Sequence, residues 1–195
     1  MKRVLRVGPI GDTPGRVRFR FALPRDFWYA LTGSRMQDDM PDIALYQPDI
    51  PQNTGTILRL AACMSVRVHL VEPAGFPISD SALKRAGMDY LERAAMTRHT
   101  SFDAFEAWRK PLGRRLVLLT TRATQPYVDF SFSEDDILLM GREGAGVPET
   151  VHAGADARLT IPMAEDMRSV NVAVAVGMAL GEALRQTGTF PRSTG

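Results

Sequence analysis

Three stretches of the chain set a chemically capable side chain among glycine, proline or helix-capping residues, and each follows an apolar run. The first is Pro51-Gln52-Asn53-Thr54-Gly55, which leads into a helical pattern with Arg59 about one and a half turns in. Free N–H groups at a helix start can hold a phosphate or another anion, and a guanidinium adds a planar fork of donors. A capped helix with a surface arginine would use the same residues. The second is Gly141-Arg142-Glu143-Gly144-Ala145-Gly146-Val147-Pro148. It lacks the dinucleotide fingerprint, because Glu149 stands where the third glycine is needed, and the phosphate-loop pattern, because no Lys-Ser/Thr pair follows Gly146. What remains is a permissive backbone with an acid and a base, suited to wrapping a flat ligand with main-chain groups; a turn that only reverses the chain is the plainer alternative. The third runs from Ile161 to Asn171, where Ser169 and Asn171 lie beside the last helical pattern and Ser169 reads most simply as its cap.

Other chemistries lack their residues. There is no Gly-x-Ser-x-Gly elbow and no His-Glu-x-x-His, which removes serine-hydrolase and zinc-peptidase readings. His69, His99 and His152 stand far apart in the sequence and Cys63 is the single cysteine, so neither a metal cluster nor an intramolecular disulfide is expected, and a reducing cytosol fits best.

The elements that must position these loops read as α/β. Strand-like runs are Ile43 to Tyr46, Val66 to Val71, Arg115 to Thr120, Asp136 to Met140 and Arg158 to Ile161, most of them too apolar for a sheet with a solvated face. They alternate with helical patterns at Asn53 to Ser65, Ser79 to Gly87, Ser101 to Lys110, Pro148 to Ala153 and Ser169 to Gln186, with Asn53, Ser101 and Ser169 as predicted caps. A parallel sheet covered by helices on both faces follows, with the ligand site at the strand ends. In the last helix Ala173, Gly177 and Gly181 form a small-residue face that admits a close neighbour, inside the chain or across a dimer interface.

With 195 residues, 45% hydrophobic and 24% charged, the composition is that of an ordinary globular protein rather than a disordered one. The apolar stretch from Val170 to Gly181 is well short of the roughly 20 residues that span a bilayer, and the N-terminus has no apolar core of a secretory signal, so neither membrane insertion nor export is expected. The net charge of +2 hides an asymmetry: residues 1–40 carry eight basic and four acidic side chains, which leaves −2 for 41–195. That basic arm could steer a nucleic acid, although the simpler expectation is an extension outside the fold or a start-site artefact, with Met36 and Met40 next to the first strand. The domain is expected to occupy 41–195.

Taken together and in this order, the loops resemble the three signature motifs of the SPOUT superfamily of knotted RNA methyltransferases, in its 2′-O-ribose branch. The residues that carry the likeness are Ile43 to Gly55, Arg59, Gly75-Phe76, Lys84 to Tyr90, Leu119-Thr120-Thr121, Gly141 to Pro148, Ile161-Pro162-Met163 and Arg168 to Asn171. Within that branch the chain is most similar to the tRNA (cytidine/uridine-34-2′-O)-methyltransferases, which modify the wobble nucleotide.

The resemblance implies a parallel sheet with a C-terminal trefoil knot, S-adenosyl-L-methionine as cofactor held at Leu119, Gly141, Ile161 and Ser169, a homodimer with sites near the subunit interface, and no metal. It implies a tRNA anticodon loop as partner, in leucine isoacceptors, with another tRNA or rRNA site or an inactive RNA-binding module as alternatives. Catalytic positions carried over are Asn53, Arg59, Glu143 and Asn171, beside Ser169. A guanidinium is a poor base, so Arg59 is expected to clamp a phosphate or the 2′ oxygen while the proton leaves through Glu143, a phosphate or water. RNA contacts are expected from Lys84, Arg85, Arg122, Arg142 and Arg168, with Arg93 and Arg98 as further candidates. Three features depart from the family pattern: Arg142 stands where proline or serine is usual, Gly181 where tyrosine is common, and the basic arm before Met40 has no match in the compact relatives.

Overall fold

The computed structural model describes residues 40–78 and 95–191. The helix expected over 79–87 and the arm preceding Met40 lie outside the described residues. Seven strands form one sheet: β1 (Asp42–Tyr46), β2 (Val68–Val71), β3 (Met96–His99), β4 (Arg115–Leu119), β5 (Gln125–Pro126), β6 (Asp136–Met140) and β7 (Ala157–Thr160). Their order is β3-β2-β1-β6-β4-β7-β5 and every pairing is parallel. Among the described residues four α-helices accompany them: α1 (Pro51–Met64), α2 (Phe102–Arg109), α3 (Glu149–Gly154) and α4 (Val172–Thr187).

Side chains alternate across a strand, and here both faces are apolar, so both need cover. On one face Ile43, Leu45, Val117, Leu119, Leu138 and Met140 meet Ile57, Leu58 and Ala61 of α1 and Val176, Ala179 and Leu180 of α4. On the other, Ala44, Tyr46, Leu116, Leu118, Ile137 and Leu139 meet Phe105 of α2 and Val151 of α3. The expected five strands and the two-sided sheet are therefore present. Strands β3 and β5 were not expected. β3 reads Met-Thr-Arg-His with only its last residue buried, and β5 has two residues, so pairing with β2 and β7 rather than an apolar pattern defines them.

Two predicted caps are corrected. α1 is capped by Ile50, with Pro51 at its first position, because a fixed proline φ preorganises the turn and the Thr54 N–H finds the Ile50 carbonyl at 3.2 Å. α4 is capped by Asn171 rather than Ser169: the Asn171 Oδ1 accepts from the Ala173 N–H at 2.8 Å. Ser101 caps α2 as expected, accepting from the Ala104 N–H at 3.1 Å. The small-residue face of α4 resolves unevenly. A Cβ on Gly177 would sit 3.9 Å from Leu60 of α1, whereas one on Gly181 would meet nothing within 4 Å.

Two histidines distant in sequence lie side by side on the edge strand β3 and its neighbour β2. The Nε2 of buried His69 is 3.2 Å from Asp42 Oδ2, and its Nδ1 is 3.0 Å from Nε2 of His99. A carboxylate can only accept, so His69 carries its proton on Nε2, and His99 donates to Nδ1. Arg114 also binds Asp42, Arg67 lies 3.9 Å from it, and the rings of Phe105 and Trp108 enclose both imidazoles. The histidines are thus committed to a neutral hydrogen-bonded chain.

Burial, and then the neighbouring His69, push His99 down to about 4; burial lowers His69 as well, against the pull of Asp42. The unfolded chain takes up these protons near pH 6.5, so the stability is fully present above that value and is lost as pH falls toward 4. Urea unfolding is expected to show a loss on the order of 1–2 kcal/mol between pH 7 and pH 5. The variant His99→Gln should flatten that dependence, and a flat wild-type profile over the same range would contradict the assignment.

Candidate active site

The parallel pairing brings Tyr46, Leu119, Met140 and Thr160 to one edge of the sheet, with Leu45 and Leu119 both opposite Met140. In an open α/β sheet the crevice outside the carboxyl ends is where ligands bind. A cleft of about 610 Å³ occupies that position, lined by residues of all three motif loops and by Leu119 to Arg122.

Its polar centre is a hydrogen-bonded chain. Asn171, having accepted the α4 N–H through Oδ1, donates from Nδ2 to Asn53 Oδ1 at 2.9 Å. Asn53 in turn donates from Nδ2 to Glu143 Oε1 at 3.2 Å. The backbone N–H of Asp49 donates to Glu143 Oε2 at 2.8 Å. One end of this chain is a helix N–H, which can only donate, and the other a carboxylate, which can only accept, so both amide orientations are determined. Because Ile50 and Pro51 begin α1 without a side-chain cap, the Asn53 amide is available to bridge the loops.

The structure therefore brings together three of the four expected catalytic residues, Asn53, Glu143 and Asn171, and all four expected cofactor positions, Leu119, Gly141, Ile161 and Ser169, in one cleft. Arg59 is not brought there: it sits on the exposed side of α1 and is not among the residues lining the cleft of its own chain. Lys84, Arg85 and Arg93 lie outside the described residues. Arg98 stands on β3, ion-paired with Glu72 at 2.7 Å.

Arg122, Arg142 and Arg168 line the cleft, and two of the three are paired. Arg122 reaches Glu149, in the first turn of α3, at 2.8 Å. Arg142 grips Asp49 through Nε and Nη2, at 3.2 and 2.9 Å, and this hydrogen bond holds the Asp49 carboxyl below its ordinary range. Arg168 is exposed and makes no ion pair with a described residue. The sequence reading gave Asp49 no role, and no local signal could have supplied one, since its partner lies 93 positions away.

Two glycines shape the second loop. Arg142 and Gly146 exchange both backbone hydrogen bonds, at 2.9 and 2.8 Å, which folds the loop into a narrow hairpin. A Cβ on Gly141 would fall 2.6 Å from the Gly146 carbonyl carbon, and Gly146 itself has φ +65°. Urea unfolding of alanine variants should rank accordingly: Gly141→Ala loses more than about 2 kcal/mol, Gly146→Ala about 1 and Gly144→Ala less than about 0.5. Equal losses at Gly141 and Gly144 would refute the close approach.

Comparison with known proteins agrees with this arrangement. Residues 41–181 match the family described as the SpoU rRNA Methylase family. A tRNA (cytidine(34)-2'-O)-methyltransferase of Beijerinckia indica is 65% identical over 150 residues, covering 77% of this chain and 94% of that protein. A solved structure described as "Structural insights into the 2-OH methylation of C/U34 on tRNA" superposes with TM-score 0.72 at 42% identity, over 77% of this chain and 98% of the other. The AdoMet-bound rRNA methyltransferase of Sinorhizobium meliloti superposes with TM-score 0.68 at 30% identity, over 75% of this chain and 56% of the other. A parallel sheet with its polar cleft at the carboxyl ends, matched along 41–181 by the family model, makes this chain a member of the SpoU methylase family.

Proposed function

We propose that this chain is a methyltransferase that uses S-adenosyl-L-methionine to methylate the ribose 2′-OH of nucleotide 34, cytidine or uridine, in tRNA, with leucine isoacceptors as its substrates. The observation that carries this reading is the Asn171-Asn53-Glu143 chain, which joins the three motif loops beside a cleft large enough for a nucleoside-sized ligand. Support for the substrate comes from the relative named tRNA (cytidine(34)-2'-O)-methyltransferase and from the solved structure concerned with C/U34.

The cleft suits such a cofactor. Leu119, Met140, Ile161 and Val172 offer apolar surface for a flat ring, and the Gly141–Gly146 hairpin lines the same cleft with main chain. When bound, S-adenosyl-L-methionine supplies an electrophilic methyl group on a sulfonium. Leu119, Gly141, Ile161 and Ser169 would hold it. What this chain's own residues must then do is aim a ribose oxygen and receive its proton. Glu143 serves as the acceptor or passes the proton to a phosphate or water. Asn53 and Asn171 fix the orientation of that carboxylate, and Arg59 clamps a phosphate or the 2′ oxygen.

Arg59 stands off the cleft of its own chain, which favours a site completed by a second copy. Exposed Met167, Val170, Val174 and Met178, running from the cleft along α4, give a homodimer an apolar surface to bury. The C-terminal path supports the trefoil knot: β7 pairs between β4 and β5, and Gln186 at the end of α4 binds the Phe130 carbonyl and the Phe132 N–H, both at 2.9 Å. Among the described residues no helix is long and apolar enough to cross a membrane and no group of side chains could hold a metal. The proposed setting is the cytoplasm, with RNA contacts from Arg168 and, beyond the described residues, from Lys84 and Arg85.

Incubation with methyl-labelled S-adenosyl-L-methionine and tRNA lacking wobble methylation should place the label in 2′-O-methylcytidine or 2′-O-methyluridine at position 34. Label at another nucleoside would move the target to a different RNA site, and cofactor binding without transfer would identify an RNA-binding module. Replacing the fork of donors by a point charge in Arg59→Lys should lower turnover at least roughly tenfold. Near-normal turnover in that variant would overturn the clamp.

A further inference from the structure

The Arg142 guanidinium faces this chain rather than a ligand. Its Nε lies 3.2 Å from both carboxylate oxygens of Asp49, and its Nη2 lies 2.9 Å from Oδ1. The next residue, Glu143, takes the backbone N–H of the same Asp49 at 2.8 Å and the Asn53 amide at 3.2 Å. Consecutive residues of the glycine loop therefore hold the side chain and the main chain of one residue in the segment leading into α1. The backbone of Arg142 is itself pinned by its exchange with Gly146.

We propose that Arg142 is a positioning residue: through its two-pronged grip on Asp49 it sets the glycine loop over the start of α1, and so fixes where the Glu143 carboxylate stands for methyl transfer. The proposal rests on the function stated above and adds a role that neither RNA contact nor cofactor contact supplies. The physical need is clear from the loop itself. Gly144, Ala145 and Gly146 give the segment little intrinsic stiffness, and a carboxylate displaced by about 1 Å loses much of its value in aligning a reacting group. A planar guanidinium can hold a carboxylate along two parallel directions, whereas an ammonium cannot. The pair is also partly exposed to solvent, so its contribution lies in orientation more than in stability of the fold.

The test uses the full-length chain and the variants Arg142→Ala, Arg142→Lys, Asp49→Asn and the double Arg142→Ala/Asp49→Asn. Hydrogen exchange is followed at peptides spanning 47–53 and 141–147, with peptides from β4 and β6 as a control for global unfolding. Steady-state transfer to tRNA is followed as kcat and KM at two salt concentrations. The expected result is faster exchange in both loop peptides and a fall in kcat of about five- to twentyfold for each alanine or asparagine variant, with KM for tRNA changed less than about twofold. Arg142→Lys should fall between wild type and Arg142→Ala, and the double variant should be no worse than the poorer single one, as expected for residues acting as a unit.

Two outcomes overturn the proposal. One is a raised KM and a flatter salt dependence for Arg142→Ala with kcat intact and Asp49→Asn silent, which would make Arg142 an RNA contact. The other is unchanged exchange in both loop peptides. If the wild-type protein transfers no methyl to tRNA, the functional reading fails, and the exchange comparison still decides whether Arg142 holds the loop. Should Arg142→Ala fail the unfolding control, Arg142→Lys and Asp49→Asn carry the same comparison.

Discussion

The arrangement of the cleft depends on a hydrogen-bonded chain that begins at the first turn of α4 and ends on a carboxylate. The Ala173 N–H donates to Asn171, Asn171 to Asn53 and Asn53 to Glu143, so three segments spread over 118 positions of the sequence share one directional network. Reversing either amide would set donor against donor or acceptor against acceptor. The network thus has one satisfied arrangement, and that arrangement fixes how the three loops meet. Helix capping and site geometry are here the same interaction: the residue that satisfies α4 also orients the middle of the cleft.

The sheet makes such a meeting possible because its strands are parallel and end level. β1, β6 and β4 are adjacent, apolar on both faces and covered by helices, so their carboxyl ends are fixed by close packing rather than by the loops. Buried charges gather at the opposite ends. Asp42 opens β1 and binds Arg114, and Asp136 opens β6 and takes Arg115 at 2.6 Å. This separation keeps the buried ionic groups at one rim of the sheet and leaves glycine-rich, backbone-presenting loops at the other. The buried His69-His99 pair satisfies polar atoms inside the β1-β2-β3 half without reaching the cleft.

Much of this was legible in the residues. Apolar runs too continuous for a solvated face marked a sheet covered on both sides, and the three loops following those runs did converge. The misreadings have physical causes. Ser169 and Asn53 looked like caps because their types suit that position, but Pro51 left α1 with no need of a side-chain cap, and Asn171 lay nearer the first free N–H of α4. β3 and β5 carry no periodic signal because partner strands, not burial of an alternating face, hold them. The Asp42-His69-His99 chain and the Arg142-Asp49 grip join residues that only the folded sheet brings together, and no spacing rule applies to such pairs.

Glu143 illustrates why a site of this kind works by orientation more than by accumulated charge. Each of its oxygens receives one donor, from Asn53 or from the Asp49 N–H, and a carboxylate offers about four acceptor directions in all. Room for a further hydroxyl remains, and the two donors already present dictate the side from which it can approach. Two of the three arginines at the rim do not disturb this, because Arg122 and Arg142 are held by Glu149 and Asp49 and add little net field over the cleft. A cation left unpaired so close to Glu143 would compete for its oxygens and draw the carboxylate out of the network. Pairing Arg142 with Asp49 converts a charge that could disrupt the site into a brace for it.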